Sequence, residues 1–326
     1  MATVGLLFQK IAYNGKELDL SFLQEGNFVE TLDLSGPRLM LSFYDPDGLL
    51  RDDLGVKEKA ELTISLADPG EGIDQEIGFR VLTMPTTGAV VKLNCLQLDV
   101  AKTKYPSTKA ILFSKKPVSA IIKQLFSGVS YAVDSLPVIE DYHVLPGQRP
   151  SLMLRQMARE KGAALFYLRG KVYCRKLSSL FSAAPAMTYE YNHPAAKLKI
   201  IQYKRPNTKA IIREKADRAY TGFDLKKGYI QGGRQSDNDS PAEFSSLTSA
   251  TSMNNLNALA YPAIDFVCVG NGKLAPGKML KLVWNLDRVD SPLDESLPTS
   301  VLISVVAHYY SQNKYYCRVQ GVEQAK

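Results

Sequence analysis

The sequence predicts a mainly β protein interrupted by one small α+β insert. Three observations carry this reading. Short runs of β-branched and aromatic residues, punctuated by Gly, Pro, Asn and Asp, fill residues 1–102 and 183–326. Apolar spacing shifts clearly to the helical period within residues 103–182. Hydrophobic residues make up 45% of the chain and charged ones 22%, so a packed core is expected. At 326 residues there is room for two or three domains.

In the first unit, strands are expected at Leu6–Tyr13, Asn27–Leu34, Arg38–Tyr44, Ala60–Leu66, Ile77–Met84 and Val90–Val100. Asn14–Gly15, Ser35–Gly36–Pro37, Asp45–Pro46–Asp47–Gly48, Asp68–Pro69–Gly70 and Thr87–Gly88 supply the turns. Leu49–Gly55 reads as a loop or short helix. Several short strands so punctuated suggest a small barrel or sandwich.

The middle unit holds the helical text. Pro117 suits a first helical position, which tolerates a missing N–H. Val118, Ile121, Ile122, Leu125 and Phe126 then form one apolar stripe, and Gly128 can stop the helix. A helix this short is marginal alone. Burying five such side chains is worth roughly 7–15 kcal/mol gross, so the stripe must face a partner. A second helix starts near Pro150–Ser151, has Leu152, Met153, Leu154, Met157 and Ala158 as its apolar positions, and ends at Lys161–Gly162. Ala163–Leu168 and Lys171–Lys176 read as two strands joined by a tight turn at Arg169–Gly170.

Beyond residue 183, strands are expected at Met187–Tyr191, Lys197–Arg205, Thr208–Lys215, Phe266–Gly270, Met279–Trp284, Thr299–Tyr310 and Tyr315–Gln320. The last two form a hairpin. Residues 231–252, rich in Ser, Gly, Asn and Asp, read as a mobile loop. Ser252–Ala260 reads as a short helix.

Charge is unevenly spread behind the overall +7. Residues 1–102 hold 9 Lys/Arg and 16 Asp/Glu, a net −7, and the middle stretch to residue 180 holds 13 and 4, a net +9. The remainder holds 18 and 13, a net +5. Opposite-signed units can face different neighbours in an assembly. The stretch Lys197–Lys227 carries ten Lys/Arg against three acids, with Tyr203, Tyr220 and Phe223 interleaved. Lys197, Lys199, Lys204, Arg205, Lys209 and Arg213 are its candidate patch. A nucleic-acid face, a subunit interface and a solvated strand face all fit this text.

Catalytic and metal motifs are missing. His143, His193 and His308 stand far apart, and no HExxH, CxxC, GxSxG or phosphate loop occurs. His308, in a strand beside two tyrosines, reads as a hydrogen-bonded core histidine. Asp45, Asp47, Asp52 and Asp53 lack the spacing of a calcium loop. Cys95, Cys174, Cys268 and Cys317 each sit in apolar strand text and read as buried reduced thiols. No eighteen-residue apolar run suggests membrane insertion, and the first residues lack a secretory pattern. No cofactor, metal or catalytic residue is expected. A cell-wall hydrolase would need two carboxylates brought together by folding. The middle unit offers only Asp134, Glu140, Asp141 and Glu160.

The run KPVSAIIKQLFSG, its extended spacer through Leu145–Pro146–Gly147, and RPSLMLRQMAREKGAALFYLRGKVYCRKL place a helix, a linker, a second helix and an aromatic hairpin in that order. This segment resembles the middle of the central baseplate hub proteins of contractile-tailed bacteriophages. The N-terminal half of the type VI secretion spike protein VgrG is similar. GNGKLAPGKMLKLVWN and the C-terminal hairpin resemble the family's closing strands. The resemblance implies two tube-like β-barrels, at 1–102 and within 183–326, flanking the small helix–helix–hairpin domain at 103–182. It also implies a structural virion protein, assembled in the host cytoplasm into the tail baseplate as a homotrimer. That trimer would join a hexameric tail tube to a trimeric central spike, with tape measure and baseplate wedge proteins as further partners and DNA only in transit. Acids of residues 1–102 would then suit the channel wall, and the basic patch an outward face. A tail-associated cell-wall-degrading enzyme and a carbohydrate- or nucleic-acid-binding module are the other classes that the residues leave open.

Overall fold

The computed structural model describes residues 7–68, 72–137, 140–234, 242–286, 293–312 and 314–325. Its first unit is an antiparallel curl of six main strands. Their spatial order is Phe8–Tyr13, Glu61–Ala67, Asp74–Thr83, Val90–Gln97, Arg38–Tyr44 and Leu23–Thr31. Side chains alternate as a half-buried strand requires, so Leu62, Ile64 and Leu66 point inward while Glu61 points to solvent. Phe8, Phe28, Leu41, Phe79 and Leu93 fill the interior.

The expected strand Val90–Val100 ends at Gln97. The Gln97 side chain accepts a hydrogen bond from the Val100 N–H at 2.8 Å and opens a helix over Leu98–Lys104. A polar cap beside apolar text turned the chain where alternation alone implied continuation.

Six strands of the C-terminal unit close on themselves. The ring runs Ser300–Ser311, Met279–Trp284, Met187–Tyr191, Lys199–Lys204, Ala260–Val269 and Lys314–Gln324, which pairs again with Ser300–Ser311. Tyr189, Phe266, Leu282, Trp284 and Val319 pack inside.

The strand Ser300–Ser311 belongs to both units. On one edge, residues 300–302 pair with Met279–Trp284 and residues 305–311 pair with Leu23–Thr31. A register shift between Ile303 and Val305 marks the handover. One continuous sheet therefore runs through both curls, and their interiors merge into a single core.

The middle unit has its own core. Helices Val118–Leu125 and Pro150–Glu160 bury Ile121, Ile122, Leu154 and Met157 against the hairpin strands Ala163–Leu168 and Lys171–Lys176. Ser130–Val133 adds a parallel strand. The turn residues Arg169 and Gly170 have φ of 47° and 80°, the paired left-handed conformation that a two-residue hairpin demands.

Two expectations change in the C-terminal text. Thr208–Lys215 is not a strand; Lys209–Ala216 is a helix, because Ile212 and Ala216, four apart, share the face that meets the core. Of the expected loop at 231–252, residues 235–241 lie outside the described ones. Its flanks belong to a small three-stranded sheet, Ala219–Asp224, Gly228–Gly233 and Glu243–Phe244, covered by helix Ala250–Asn255. Gly222 and Gly232 permit this cover, since a Cβ on either would lie under 3.0 Å from Met253.

Candidate functional site: the three-unit junction and the charged faces

All three units meet at Arg169. The hairpin turn projects its guanidinium toward the shared strand. It donates to both oxygens of Glu30 (3.3 and 3.0 Å), to the Gly72 carbonyl (2.5 Å) and to the Leu274 carbonyl (2.9 Å). Glu30 comes from the first curl, Leu274 from the closed barrel, and the arginine from the insert. Glu30 and His308 are fully buried.

The register explains why these groups converge. Glu30 lies opposite Val306 and Phe28 opposite His308, so both polar groups face one interior. His308 Nε2 stands 3.4 Å from Glu30 Oε2. Its Nδ1 lies 2.7 Å from the Tyr315 hydroxyl and 3.3 Å from Cys317 Sγ, and its ring stacks on Phe28. Burial alone would raise the Glu30 pKa, but His308 and Arg169 outweigh it and hold the carboxyl below its ordinary value. Burial would likewise lower that of His308, yet Cys317 and Glu30 push it up to about 9.

Cys317, His308 and Glu30 line up as nucleophile, base and carboxylate. All three are 0% exposed, so no substrate reaches them, and the arrangement serves cohesion. The four cysteines are buried and free. His308 is the hydrogen-bonded core histidine that its strand text suggested. Arg169 and Glu30 carried no such signal: one reads as an imperfect turn residue and the other as one acid among many.

The candidate basic patch divides in two. Lys197, Lys199, Lys204, Arg205, Lys209 and Arg213 are all exposed. Lys199 reaches the Pro194 carbonyl at one end of its strand. At the other end Lys204 pairs in register with Asp265, and Lys209 lies 5.5 Å from the Tyr261 ring. Arg205 and Arg213 act electrostatically on that same tyrosine. Five residues of strand separate the ends by about 17 Å, so the six residues form two clusters.

Several acids of residues 1–102 mark the outside of the first curl, while Glu30 and Asp45 are buried. Glu61, Asp74 and Glu76 lie on the solvent face of two neighbouring strands. Glu61 pairs with Arg80, and Glu17 with Lys10. Apart from the buried Glu30, paired with Arg169, the interior of this curl is packed with apolar side chains, so an acidic wall can only be an outer face.

No protein-family model matches the chain, and no curated protein matches it in sequence. Solved structures do match. A tail protein from Neisseria meningitidis MC58 superposes with a TM-score of 0.63 at 8% identity, covering 96% of this chain and 95% of that one. The 43 kDa tail protein of prophage MuSo2 from Shewanella oneidensis gives 0.60 at 12% identity, with 96% of each chain covered. A component of the E. coli type VI secretion system, described as similar to the T4 tail proteins gp27 and gp5, gives 0.55 at 11%, covering 96% and 76%.

The chain has the phage tail-hub fold. The tail-hub likeness runs end to end, so it takes in both curls and the insert together. At these identities the fold is held by patterning and packing, not by shared residues. No helix among the described residues is long and apolar enough to cross a membrane.

Proposed function

We propose that this protein is a structural tail component, a homotrimeric hub between a hexameric tail tube and a trimeric central spike, with a channel for DNA. The observation that carries the reading is the end-to-end match to tail proteins, covering 96% of the chain. Two curls per chain offer six similar faces in a trimer, while threefold surfaces can receive a spike. The shared strand Ser300–Ser311 supports such a role, because it fixes one curl against the other without a hinge. The acidic outer face of the first curl suits a wall past which DNA slides, since carboxylates repel phosphate. The two basic clusters suit contacts to neighbouring proteins. Assembly in the host cytoplasm into the virion tail completes the proposal, with tape measure and wedge proteins as further neighbours.

The test is the particle itself. Native mass measurement and negative-stain imaging over a wide concentration range should give three chains per particle and ring views with a central hole. A particle that stays monomeric throughout, with no ring views, overturns the proposal.

A further inference from the structure

The middle unit carries an open cleft of about 540 Å³ between helix Pro150–Glu160 and the segment Ser246–Thr248. A second lobe of about 490 Å³ adjoins it and shares Gln156, Glu160, Ser246 and Leu247. Each volume lies in the range of roughly 300–1,000 Å³ common to small-molecule sites.

Folding brings three of the unit's four acids here. Glu140, Asp141 and Glu160 all line the larger lobe. The Glu160 carboxylate accepts from the Tyr142 hydroxyl and the Gln156 amide, each at 2.8 Å. Glu140 accepts from the Lys161 ammonium and the Ser252 hydroxyl. The buried Lys161 ammonium, next in sequence to the hydrogen-bonded Glu160, thus pairs with Glu140 on a floor built from separate elements. Burial, with Glu140 adding to it, raises the Glu160 pKa. Desolvating such charges is costly, and well-packed apolar residues would serve folding as well. Its hydrogen bonds fix the side chains in place, as a recognition surface requires.

The walls narrow the ligand class. Arg149, Arg155 and Arg159 line the two lobes beside Glu140, Asp141 and Glu160, so the lining is of mixed sign and favours neither anions nor cations. Glu140 is already neutralised by Lys161, and among the described residues no group of three metal-ligating side chains exists. Above the floor stand planar polar groups, Gln156 and Arg149, beside the apolar Leu152, which is 59% exposed. Phe244, 78% exposed, lies in the second lobe. Planar amides, carboxylates and guanidinium pair with vicinal hydroxyls, and apolar and aromatic side chains cover the C–H faces of a sugar ring. We infer that this cleft binds a short neutral oligosaccharide running from one lobe to the other.

Calorimetric titration of the whole chain with chitotetraose, cellotetraose and maltotetraose tests this. At least one should bind saturably at a single site. Phe244→Ala and Leu152→Asp, both at exposed positions, should weaken that binding by about tenfold or more while leaving the melting temperature near that of the parent. Lys204→Ala, outside the cleft, should leave it unchanged. Absence of binding by all three sugars overturns the inference, as does binding indifferent to both cleft variants. Displacement of the sugar by a neutral tetrapeptide at equal concentration would also overturn it, by making the cleft a peptide groove. A single chain supplies the whole lining of the cleft, so the result is independent of the hub reading.

Discussion

At the scale of single residues, Arg169 decides most. Its guanidinium is the only cation that touches Glu30 from outside the sheet among the described residues, and it also satisfies two carbonyls. Arg169→Ala leaves the fully buried Glu30 carboxylate with His308 as its one charged neighbour among the described residues, and a loss of about 3–5 kcal/mol is expected in urea unfolding. Arg169→Gly separates causes: it relieves the left-handed backbone at φ 47° yet should lose nearly as much. Arg169→Lys should fall between parent and Ala, because an ammonium cannot reproduce the two-pronged contact. Recovery of full stability in the Gly variant would show that the ion pair contributes nothing.

Glu30 also gives the junction a pH dependence. Its folded pKa is depressed below the ordinary 4.5. Its stabilisation is therefore fully present above about pH 4.5 and is lost as pH falls through the lower folded value. Urea unfolding of the parent minus that of Glu30→Gln should show a difference that shrinks steadily below pH 4.5. A difference independent of pH in that window would contradict the linkage.

At the scale of elements, two glycines let the curls touch. A Cβ on Gly72 would sit 2.0 Å from the Gly272 carbonyl carbon and 2.1 Å from the Lys273 nitrogen. Asp68 accepts from the Gly272 N–H at 2.9 Å in the same contact. Neither obstacle is a flexible side-chain tip, so the loops must separate to admit a methyl group. Gly72→Ala should cost about 1–3 kcal/mol and speed amide exchange at Gly272 and its neighbours. Gly78→Ala is the control, since its nearest neighbour would be Leu98 at 3.6 Å. Equal behaviour of the two variants would show that the contact is dispensable. Element reading from sequence erred where a short stretch suits either state. Lys209–Ala216 has both alternating and four-apart apolar positions, and only the face turned to the core chose the helix.

At the scale of the molecule, the sequence reaches the fold further than the site. The middle helices and hairpin were legible because their stripes, turn and stop residues are local. Arg38–Tyr44, Ala163–Leu168, Lys171–Lys176, Met187–Tyr191 and Met279–Trp284 occupy the ranges that their text implies. The handover within Ser300–Ser311 was not legible. Both of its edges are paired along much of its length, and alternation reports which face is buried, not which neighbour lies beside it. The six basic residues share one stretch of text but not one surface, because an extended strand spreads them along its length.

What the sequence alone determined is the order of the main strands around a middle pair of helices and a hairpin, since hydrophobic period, turn chemistry and helix stops act over a few residues. Tertiary structure decided how the two curls fuse, where Arg169 lands and that three scattered acids share a cleft. Glu30 and Arg169 stand 139 residues apart, and they meet only after the sheet has curled and the insert has docked. Nothing in the local chemistry of either residue specifies the other.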